Sequence, residues 1–586
     1  MVKRDEIEAQ LTGPGGAFEV VTEKVGDHLL KVYKQRMGSL REVSRLAASR
    51  SDDEICIVYG SRRIGYRSFF EAADRFSSVL GRSLGVKLGD RVAVLSANTP
   101  EWCLSFWATV DIGAVLVGLN GWWKRDEIIF GLADCGARVL VADRDRFTRV
   151  AGSISGLKEL ESVLVTGVSP EEANQLSKGD PRVHSFDEVA TSLRENALVA
   201  PEDRVDEPLE RYVDEDAPAV IFYTSGTTGH PKGAVSTHRS MLANLQNTIF
   251  HAVASAMESP QAGLVPQGGA QQVALLTSPL FHVSGCHSGL VVGVATGMRL
   301  VIPKGRFDPE IAMDLIEKEK VTVWATVPTM VWRVVNHPRR GDFDLSSVRS
   351  VAYGGSPAAP ELQRKVTETF VNLATMGNAY GLTESSSVAT VNSGARYLER
   401  PESVGRPLPV VDVKVVNPAG EELPAGSTGE ILIRGPIVMK GYWDNTAATQ
   451  EAISDGWLHS GDIGYLDSDG FLYVTDRAKD MIIRGGENIY CVEIENLLVE
   501  HPGIAEAAVI GVFHAELGEE VKAIVVPQPG GTITEDDVRD WVAQKLANFK
   551  VPTYVEIRTQ PLPRNPSGKV LKNVLRGDES SLAELL

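Results

Sequence analysis

A glycine- and hydroxyl-rich segment with one lysine is the part of the sequence best suited to hold phosphate. It runs Tyr223-Thr-Ser-Gly-Thr-Thr-Gly-His-Pro-Lys-Gly233, directly after the apolar run AVIF. Glycines let the backbone turn tightly and present amide N–H groups, while hydroxyls and lysine add donors and positive charge. It is not a Walker A loop, because no Gly-Lys-Ser/Thr tripeptide is present. The predicted polyphosphate ligands are Thr224, Ser225, Gly226, Thr227, Thr228, Gly229 and Lys232.

This segment and several later ones resemble the signatures of the adenylate-forming superfamily, which includes acyl-CoA synthetases, luciferases and peptide-synthetase adenylation domains. The match extends over about residues 50–575, in the family's order. The later segments are Gly354-Gly-Ser-Pro357, Asn378-Ala-Tyr-Gly-Leu-Thr-Glu384, His459-Ser-Gly-Asp462 with Thr475-Asp-Arg477, and Pro563-Arg-Asn-Pro-Ser-Gly-Lys569. The resemblance implies activation of a carboxylic acid by ATP.

The resemblance also assigns residues to the adenine nucleotide and to Mg²⁺. Tyr380 would stack on adenine and Thr383 would contact phosphate. Glu384 and Thr228 would hold the Mg²⁺ ion, since oxygen ligands suit a hard cation that bridges phosphates. The other implied nucleotide contacts are Gly355, Ser356, Asn378, Ala379 and Gly381.

Four charged positions in the later part of the family pattern carry the implied chemistry. Asp462 would bind the ribose hydroxyls, and Arg477 would contact the ribose and phosphate side. Lys569 would lie between the attacking carboxylate and the α-phosphate, where it offsets their repulsion and stabilises transition-state charge. Lys479 falls at the family's hinge, about which the small domain rotates between two half-reactions. Acetylation of Lys569 would remove its charge and silence the first step.

One further segment favours coenzyme A as the acceptor. Ile483-Arg-Gly-Gly-Glu-Asn-Ile-Tyr490 resembles the acyl- and aryl-CoA synthetase branch, and it implies CoA contacts at Gly485, Gly486 and Glu487. A fatty acyl-AMP ligase and an aryl-acid CoA ligase stay open as alternatives. A catalytically silent adenylate-binding regulator is a third, disfavoured because the charged residues named above are retained.

The acid is predicted only as a class. The pair Phe281-His282 resembles the entrance of the acyl pocket, with His282 near the carboxylate as a catalytic residue. The segment Gly121-Trp-Trp-Lys-Arg125 departs from the family's Asn-Pro stretch and is left without a role. Because the candidate pocket residues supply no second charge, we expect a hydrophobic monocarboxylate: a medium- or long-chain fatty, aryl or polycyclic acid. They are Phe281, His282, Val283, Trp324, Tyr353, Gly354 and Gly377.

The elements that must position these residues alternate between strand and helix patterns. We predict an α/β fold: a large N-terminal domain of stacked, mostly parallel sheets with helices plus a small β region, followed by a small mobile α+β C-terminal domain. The predicted boundary gives domains 1–478 and 479–586. Residues 100–117 and 487–502 are each predicted to form one helix, and Thr534 is a predicted helix N-cap.

Composition limits the function classes further. The 586 residues carry a net charge of −18, which disfavours binding to nucleic acid or to an anionic membrane surface. The five scattered cysteines predict neither a disulfide framework nor a zinc site. No signal peptide or transmembrane segment is predicted, so we expect a cytoplasmic protein, with a homodimer and weak peripheral membrane contact left open.

Overall fold

Two large sheets form the body of the protein. The structure is a computed structural model that describes residues 4–190, 213–224, 231–258, 270–354, 360–477, 479–484, 487–514, 516–565 and 568–577. The first sheet has seven strands and is parallel except at the edge strand Lys232–Thr237. In spatial order these strands are Lys232–Thr237, Pro218–Thr224, Val115–Gly118, Arg91–Leu95, Val139–Asp143, Ser162–Thr166 and Val183–Ser185.

The second sheet has nine strands, with parallel pairing in its centre and antiparallel pairing at both ends. In spatial order they are Arg406–Pro407, Ser387–Ser393, Thr375–Leu382, Ser350–Gly354, Val323–Thr326, Val273–Leu275, Arg299–Val301, Ile55–Tyr59 and Arg62–Gly65. A shared core joins the two sheets through buried aromatic residues such as Trp102 and Trp107. The predicted stacked, mostly parallel sheets are confirmed.

Helices cover the outer faces and fill the space between the sheets. Helices Tyr66–Ser78 and Pro100–Asp111 contribute to the shared core, because their apolar side chains meet strands of both sheets. In the described ranges, the other α-helices of at least six residues are Arg4–Thr12, Leu40–Ala48, Arg125–Cys135, Pro170–Leu176, His238–Glu258, Pro309–Glu319, Pro328–Val335, Pro360–Thr369, Gly394–Glu399, Thr446–Ala452, Cys491–Val499 and Glu535–Ala543.

The single helix predicted over residues 100–117 is wrong in its second half. The helix ends at Asp111, and Gly113 adopts a φ of +72°. Glycine reaches this left-handed conformation without strain, so the chain can reverse there. Strand Val115–Gly118 then enters the centre of the first sheet, where its uniformly apolar side chains are buried.

Two smaller sheets follow the body. One is antiparallel and contains Asp412–Val416, Gly429–Arg434, Trp457–Leu466, Ile453–Ser454 and Leu472–Arg477. The other contains Glu487–Ile489, Ile482–Arg484, Gly518–Pro527, Ile504–His514 and Tyr554–Ile557. The division at residue 478 stays a prediction, and it falls between strands of these two sheets.

The last unit confirms one sequence prediction and corrects another. Thr534 caps helix Glu535–Ala543, with its side chain accepting from the amide of Asp537. The single helix predicted over 487–502 is wrong, because strand Glu487–Ile489 precedes helix Cys491–Val499. That strand folds back on Ile482–Arg484 as a hairpin. Over the described ranges, we find no helix that combines the length and the apolar character needed to cross a membrane.

Candidate active site

The predicted phosphate segment connects two paired strands. Strand Pro218–Thr224 pairs antiparallel with Lys232–Thr237, and Thr224 lies opposite Lys232. The Thr224 hydroxyl donates to the backbone oxygen of Lys232 at 3.4 Å. Residues 225–230 lie outside the described residues. The roles of Ser225, Gly226, Thr227, Thr228 and Gly229 therefore stay predictions.

Tyr442 joins these strands to the predicted metal ligand. Its hydroxyl donates to Oε1 of Glu384 at 2.9 Å, and the Lys232 ammonium lies 5.3 Å from its ring centroid. Tyr442 thus contacts both the Glu384 carboxylate and the Lys232 ammonium, beside the strands that flank the predicted phosphate segment. This set suits Mg²⁺, which proteins usually hold by one or two carboxylates together with substrate phosphates. Sequence reasoning missed Tyr442, because a Gly-Tyr-Trp turn carries no chemical signal of its own.

We expect Tyr442→Phe to weaken the use of Mg²⁺. The variant loses the hydroxyl that orients Glu384, and removal of such an outer partner costs about 10- to 100-fold in metal affinity or activity. The measurement is pyrophosphate release as a function of Mg²⁺ concentration. Tyr465→Phe, in strand Trp457–Leu466, is the matched control. An unchanged Mg²⁺ dependence in Tyr442→Phe would count against this role for Glu384.

Three of the predicted nucleotide residues form one hydrogen-bonded group. Asp462 is buried, and its two carboxylate oxygens contact different partners. Oδ2 accepts from the Tyr380 hydroxyl at 2.8 Å, and Oδ1 lies 3.1 Å from Nε of Arg477. Asp462 and Arg477 are direct neighbours across antiparallel strands. Residues far apart in the chain thus meet at the end of the nine-stranded sheet, although adenine stacking by Tyr380 stays a prediction.

The backbone of the segment that carries Tyr380 is packed closely against neighbouring strands. A Cβ at Gly381 would lie 1.6 Å from the backbone oxygen of Ser387, and a Cβ at Gly354 would lie 2.6 Å from that of Ala379. Ser386 and Ser387 adopt φ values of +49° and +108°, which are costly for residues with a Cβ. Such strain clusters at functional sites, and this turn follows Thr383 and Glu384 directly.

Some of the remaining predicted nucleotide contacts lie in a described strand, and the others lie outside the described residues. Asn378 and Ala379 lie in strand Thr375–Leu382, with Asn378 buried. Gly355 and Ser356 lie outside the described residues.

The loop that carries Lys569 reaches into this site from the last unit of the chain. Gly568 has a φ of +84°, and a Cβ there would lie 2.5 Å from Oγ1 of Thr329. The backbone amide of Lys569 donates to Oδ1 of Asn565 at 2.8 Å, which fixes the turn. Burial, together with the Arg477 guanidinium, lowers the pKa of Lys569 to about 8, while Asp462 opposes the shift. The ammonium therefore lies near the nucleotide group, at the end of the strand that precedes Thr329.

This pKa predicts how the first half-reaction depends on pH. Lys569 stabilises negative charge only while it is protonated, so acid activation should decline as pH rises through about 8. The measurement is kcat/KM for pyrophosphate release between pH 6 and pH 10, because this parameter reports pKa values of the free enzyme. In Lys569→Arg the guanidinium stays charged throughout, and this decline should disappear from the residual activity. An identical decline in both proteins would assign it to another group.

Small residues lie side by side on one face of the nine-stranded sheet. Ala325, Ala352 and Gly377 lie side by side on three parallel strands. Ala325 is exposed although its strand is central, so that face is open to solvent there. We name this surface, Ala325, Ala352, Gly354 and Gly377, the small-residue shelf. Strand Val323–Thr326, which carries Ala325, ends three residues before Thr329, and a Cβ at Gly568 would lie 2.5 Å from Oγ1 of Thr329.

Two residues predicted to line the acyl pocket lie elsewhere. Trp324 and Tyr353 belong to the opposite face of the same strands and are buried in the core beneath the outer helices. The Trp324 indole donates to Thr277, and the hydroxyls of Tyr353 and Tyr397 are hydrogen-bonded. Because neighbouring residues on a strand point to opposite faces, these two cannot share a pocket surface with Gly354 and Gly377. Their predicted pocket role is corrected accordingly.

The Phe281-His282 pair lies where a loop of the second sheet meets the first sheet. Phe281 is buried, and a Cβ at Gly118 would lie 3.2 Å from its Cα. Burial lowers the pKa of His282 to about 4, so its imidazole is neutral near pH 7. A neutral imidazole can still donate one hydrogen bond to a carboxylate. Val283 begins a short helix and packs against the shared core.

The predicted CoA segment faces away from this site. Arg484 is tied to Glu520 of the same small sheet at 2.6 Å, while Ile483 and Glu487 are exposed. Gly485 and Gly486 lie outside the described residues, so their predicted CoA contacts stay predictions. The structure therefore brings Lys569 to the nucleotide group and leaves the hairpin that carries Glu487 facing solvent.

Comparison with known proteins agrees with this geometry. The family model of the AMP-binding enzymes matches residues 44–443, and that of the AMP-binding enzyme C-terminal domain matches residues 493–569. The chain belongs to the AMP-binding enzyme family. The predicted membership of the adenylate-forming superfamily is thereby confirmed, and so is the fold that the resemblance implied.

Relatives within the family match over most of their length. A feruloyl-CoA synthase from Amycolatopsis sp is 35% identical over 90% of this chain and 96% of its own. A mitochondrial medium-chain acyl-CoA ligase from Mus musculus is 32% identical over 96% of this chain and 90% of its own. The solved structure of o-succinylbenzoate CoA synthetase from Bacillus subtilis with its acyl-adenylate intermediate is 28% identical, covers 92% and 98% of the two chains, and has a TM-score of 0.71.

Proposed function

We propose that this protein is an ATP-dependent acid–CoA ligase that acts on a hydrophobic monocarboxylate. The observation that supports it most is that the Lys569 loop, whose Gly568 lies close to Thr329, brings the ammonium within electrostatic range of the Asp462–Arg477 pair. An acid lying on the shelf and a nucleotide on Asp462 would meet at this ammonium. The relatives named above are CoA ligases or synthases for acids, which supports CoA as the acceptor.

In the first half-reaction, a carboxylate oxygen attacks the α-phosphorus of ATP. The new P–O bond forms as the bond to pyrophosphate breaks, and pyrophosphate leaves with the electron pair. Both reactants are anionic, so the Lys569 ammonium and the Arg477 guanidinium stabilise the charge that accumulates between them. When bound by Glu384, Mg²⁺ would neutralise phosphate charge. His282 in its neutral form would donate to the acid and orient it.

In the second half-reaction, the CoA sulfur attacks the carbonyl carbon of acyl-AMP. The C–S bond forms, the C–O bond to AMP breaks, and the thiol proton passes to solvent. The hairpin with Gly485, Gly486 and Glu487 would accompany CoA at this stage. Because that hairpin faces solvent while Lys569 is in the site, we propose that residues 479–586 rotate about Lys479 between the two steps.

The shelf supports the proposed class of acid. Its members have no side chain larger than a methyl group, and its described residues carry no charge that would pair with a second carboxylate. An aryl ring or an aliphatic chain could lie flat on such a surface and exclude water. We therefore place medium- and long-chain fatty acids and aryl acids in one candidate class.

A panel of acids tests this assignment together with one substitution. We expect ATP-dependent pyrophosphate release with hexanoate, dodecanoate or a cinnamate-type acid, and none above background with succinate. Ala325→Leu adds bulk to the open part of the shelf and should lower kcat/KM for the largest accepted acid about 10- to 100-fold, more than for the smallest. Ala419→Leu, on an exposed turn, is the matched control. A uniform effect of Ala325→Leu across the panel would place the acid elsewhere.

A further inference from the structure

A cavity of about 270 Å³ lies at the edge of the nine-stranded sheet, where the beginning of the chain meets it. Residues of helix Arg4–Thr12 and strands Val20–Val25 and His28–Tyr33 line it, together with residues of helix His238–Glu258 and strand Ser387–Ser393. The first three elements precede residue 44, where the match to the AMP-binding enzyme model begins. We name this space the N-terminal cavity. Part of its wall is thus a segment that the family model does not cover.

Two arginines of the N-terminal cavity share one carboxylate. Nη2 of Arg396 and Nη1 of Arg406 both donate to Oδ1 of Asp5, at 3.0 and 2.7 Å. Arg396 also lies 3.7 Å from Glu8, whose Oε1 accepts from Nε of Arg4 at 2.7 Å. In the described part of the chain, each of the two guanidiniums uses one of its N–H groups in a hydrogen bond, although an arginine carries several. Both therefore keep donors for a further anion.

The remaining charges around the cavity balance one another. They are three cations and three carboxylates, in ion pairs of 2.7 to 3.5 Å: Lys31 and Arg434 with Asp412, and Arg4 with Glu8 and Glu258. Asp5, by contrast, is shared by two guanidiniums. The ion pairs of the described residues thus leave one positive charge unmatched at this cavity, in a protein with a net charge of −18. A ligand with a single negative charge would balance it.

Ser393 adds a hydroxyl donor whose direction is set by His251. Desolvation and the Arg4 and Arg396 guanidiniums lower the pKa of His251 to about 3, so its imidazole is neutral near pH 7. Nδ1 lies 3.2 Å from Nη2 of Arg4, which can only donate, so Nδ1 accepts and Nε2 carries the proton. Nε2 therefore donates to Oγ of Ser393 at 2.8 Å. Within the described ranges no group accepts the hydroxyl proton of Ser393, which remains for a ligand.

Most of the other lining residues are apolar, and they set the kind of ligand. They are Val20, Phe250, Val391, Pro407, Leu408 and Pro409. An apolar cavity of about 150 Å³ holds benzene. The N-terminal cavity, at about 270 Å³, therefore has room for a ring with one charged group and for little more.

We propose that the N-terminal cavity binds a small organic anion with a single negative charge, of about the size of benzoate. Its carboxylate would accept from Arg396, Arg406 and Ser393, and its apolar part would lie against Phe250 and the neighbouring aliphatic residues. The proposal does not rest on the proposed function, because neither the nucleotide group nor the small-residue shelf contributes a residue to this cavity. Such a ligand would act as an effector that holds helix Arg4–Thr12 on the sheet, apart from the reacting acid.

Hydrogen exchange measured by mass spectrometry locates the ligand even where benzoate also binds as a substrate. We expect benzoate, in the absence of ATP, to slow amide exchange in peptides that cover helix Arg4–Thr12, because the bound anion fixes that helix. Benzamide has nearly the same shape but no charge, and it should leave this exchange unchanged. Titration of the effect with benzoate gives the Kd of the cavity.

Two substitutions with opposite expected effects separate binding from damage to the fold. Arg406→Gln should raise the Kd for benzoate about tenfold or more, because one charged contact is lost. Asp5→Asn should lower this Kd by up to about fivefold, because the internal carboxylate no longer competes for the two arginines. Arg400→Gln is the matched control, since Arg400 lies against the same Phe471 ring as Arg406 but does not line the cavity.

Other results would overturn the proposal: exchange of helix Arg4–Thr12 that benzoate does not change, an equal effect of benzamide, an unchanged Kd in Arg406→Gln, or weaker binding in Asp5→Asn. If benzoate slows exchange only around Asp462 and Lys569, it binds as an acid alone, and the cavity is not a site while the proposed function stands. If the cavity binds benzoate but no acid in the panel is activated, the proposed function fails and the cavity assignment stands.

Discussion

Lys569→Ala should lose acyl-AMP formation by about 10²- to 10³-fold, as expected when a charged group aimed at the developing transition state is removed. The same variant should still convert supplied acyl-AMP and CoA to the thioester at nearly the wild-type rate. The reason is that Lys569 lies within electrostatic range of Asp462 and Arg477, where the proposed reaction would bring the carboxylate and the α-phosphate together. In the second step, the carboxylate has already reacted.

The two half-reactions are measured separately, as pyrophosphate release without CoA and as thioester formation from synthetic acyl-AMP. Lys545→Ala is the matched control, since this exposed lysine belongs to the same unit and contacts Glu500 and the Trp541 ring. Equal losses in both half-reactions of Lys569→Ala would show that the substitution damages the fold or that Lys569 serves another purpose.

Lys479→Pro should have the opposite pattern: acyl-AMP formation is retained, and thioester formation falls about 100-fold or more if the step needs rotation at this residue. Proline fixes φ at residue 479 and also restricts the residue before it. In the structure, the Lys569 ammonium is within electrostatic range of Arg477 and Asp462, and Glu487 is exposed, which is the arrangement that we propose for the first step. A locked backbone would therefore hold the enzyme in that arrangement.

Lys479→Ala is the matched control, because it removes the same side chain without restricting the backbone. We expect it to retain both half-reactions. If Lys479→Ala loses thioester formation as strongly as Lys479→Pro, the side chain rather than the backbone rotation is responsible. If Lys479→Pro forms thioester normally, residue 479 is not the hinge.

Sequence patterns predicted those features of the site whose residues lie close together in the chain. The glycines, hydroxyls and lysine of the predicted phosphate segment lie in one run of the sequence. Thr534 indicates the start of a helix because its own side chain caps the first turn. The partnership of Asp462 and Arg477 agrees with the family spacing, and the structure shows its cause as direct pairing across two strands. Such features depend on neighbours that the sequence itself places close together.

Features set by distant neighbours were harder to predict. Trp324 and Tyr353 are large and apolar, as a pocket residue can be, but only the finished sheet decides which face is covered by helices. Ala325 could not be identified as a surface residue from the sequence, because an alanine in a central strand is exposed only where no other element packs against it. Residues 100–117 are mostly apolar, so their pattern did not separate a buried helix from the central strand after Gly113. Tyr442 became visible only through its bond to Glu384.

The most direct test of the central claim is the product stoichiometry of one complete reaction. The enzyme is incubated with Mg²⁺, ATP, CoA and an accepted acid from the panel, and the products are quantified by mass spectrometry and a pyrophosphate assay. We predict AMP, pyrophosphate and acyl-CoA in equal amounts, with no thioester when CoA is omitted. Formation of ADP and phosphate, or acyl-AMP that never becomes a thioester in the presence of CoA, would contradict the account.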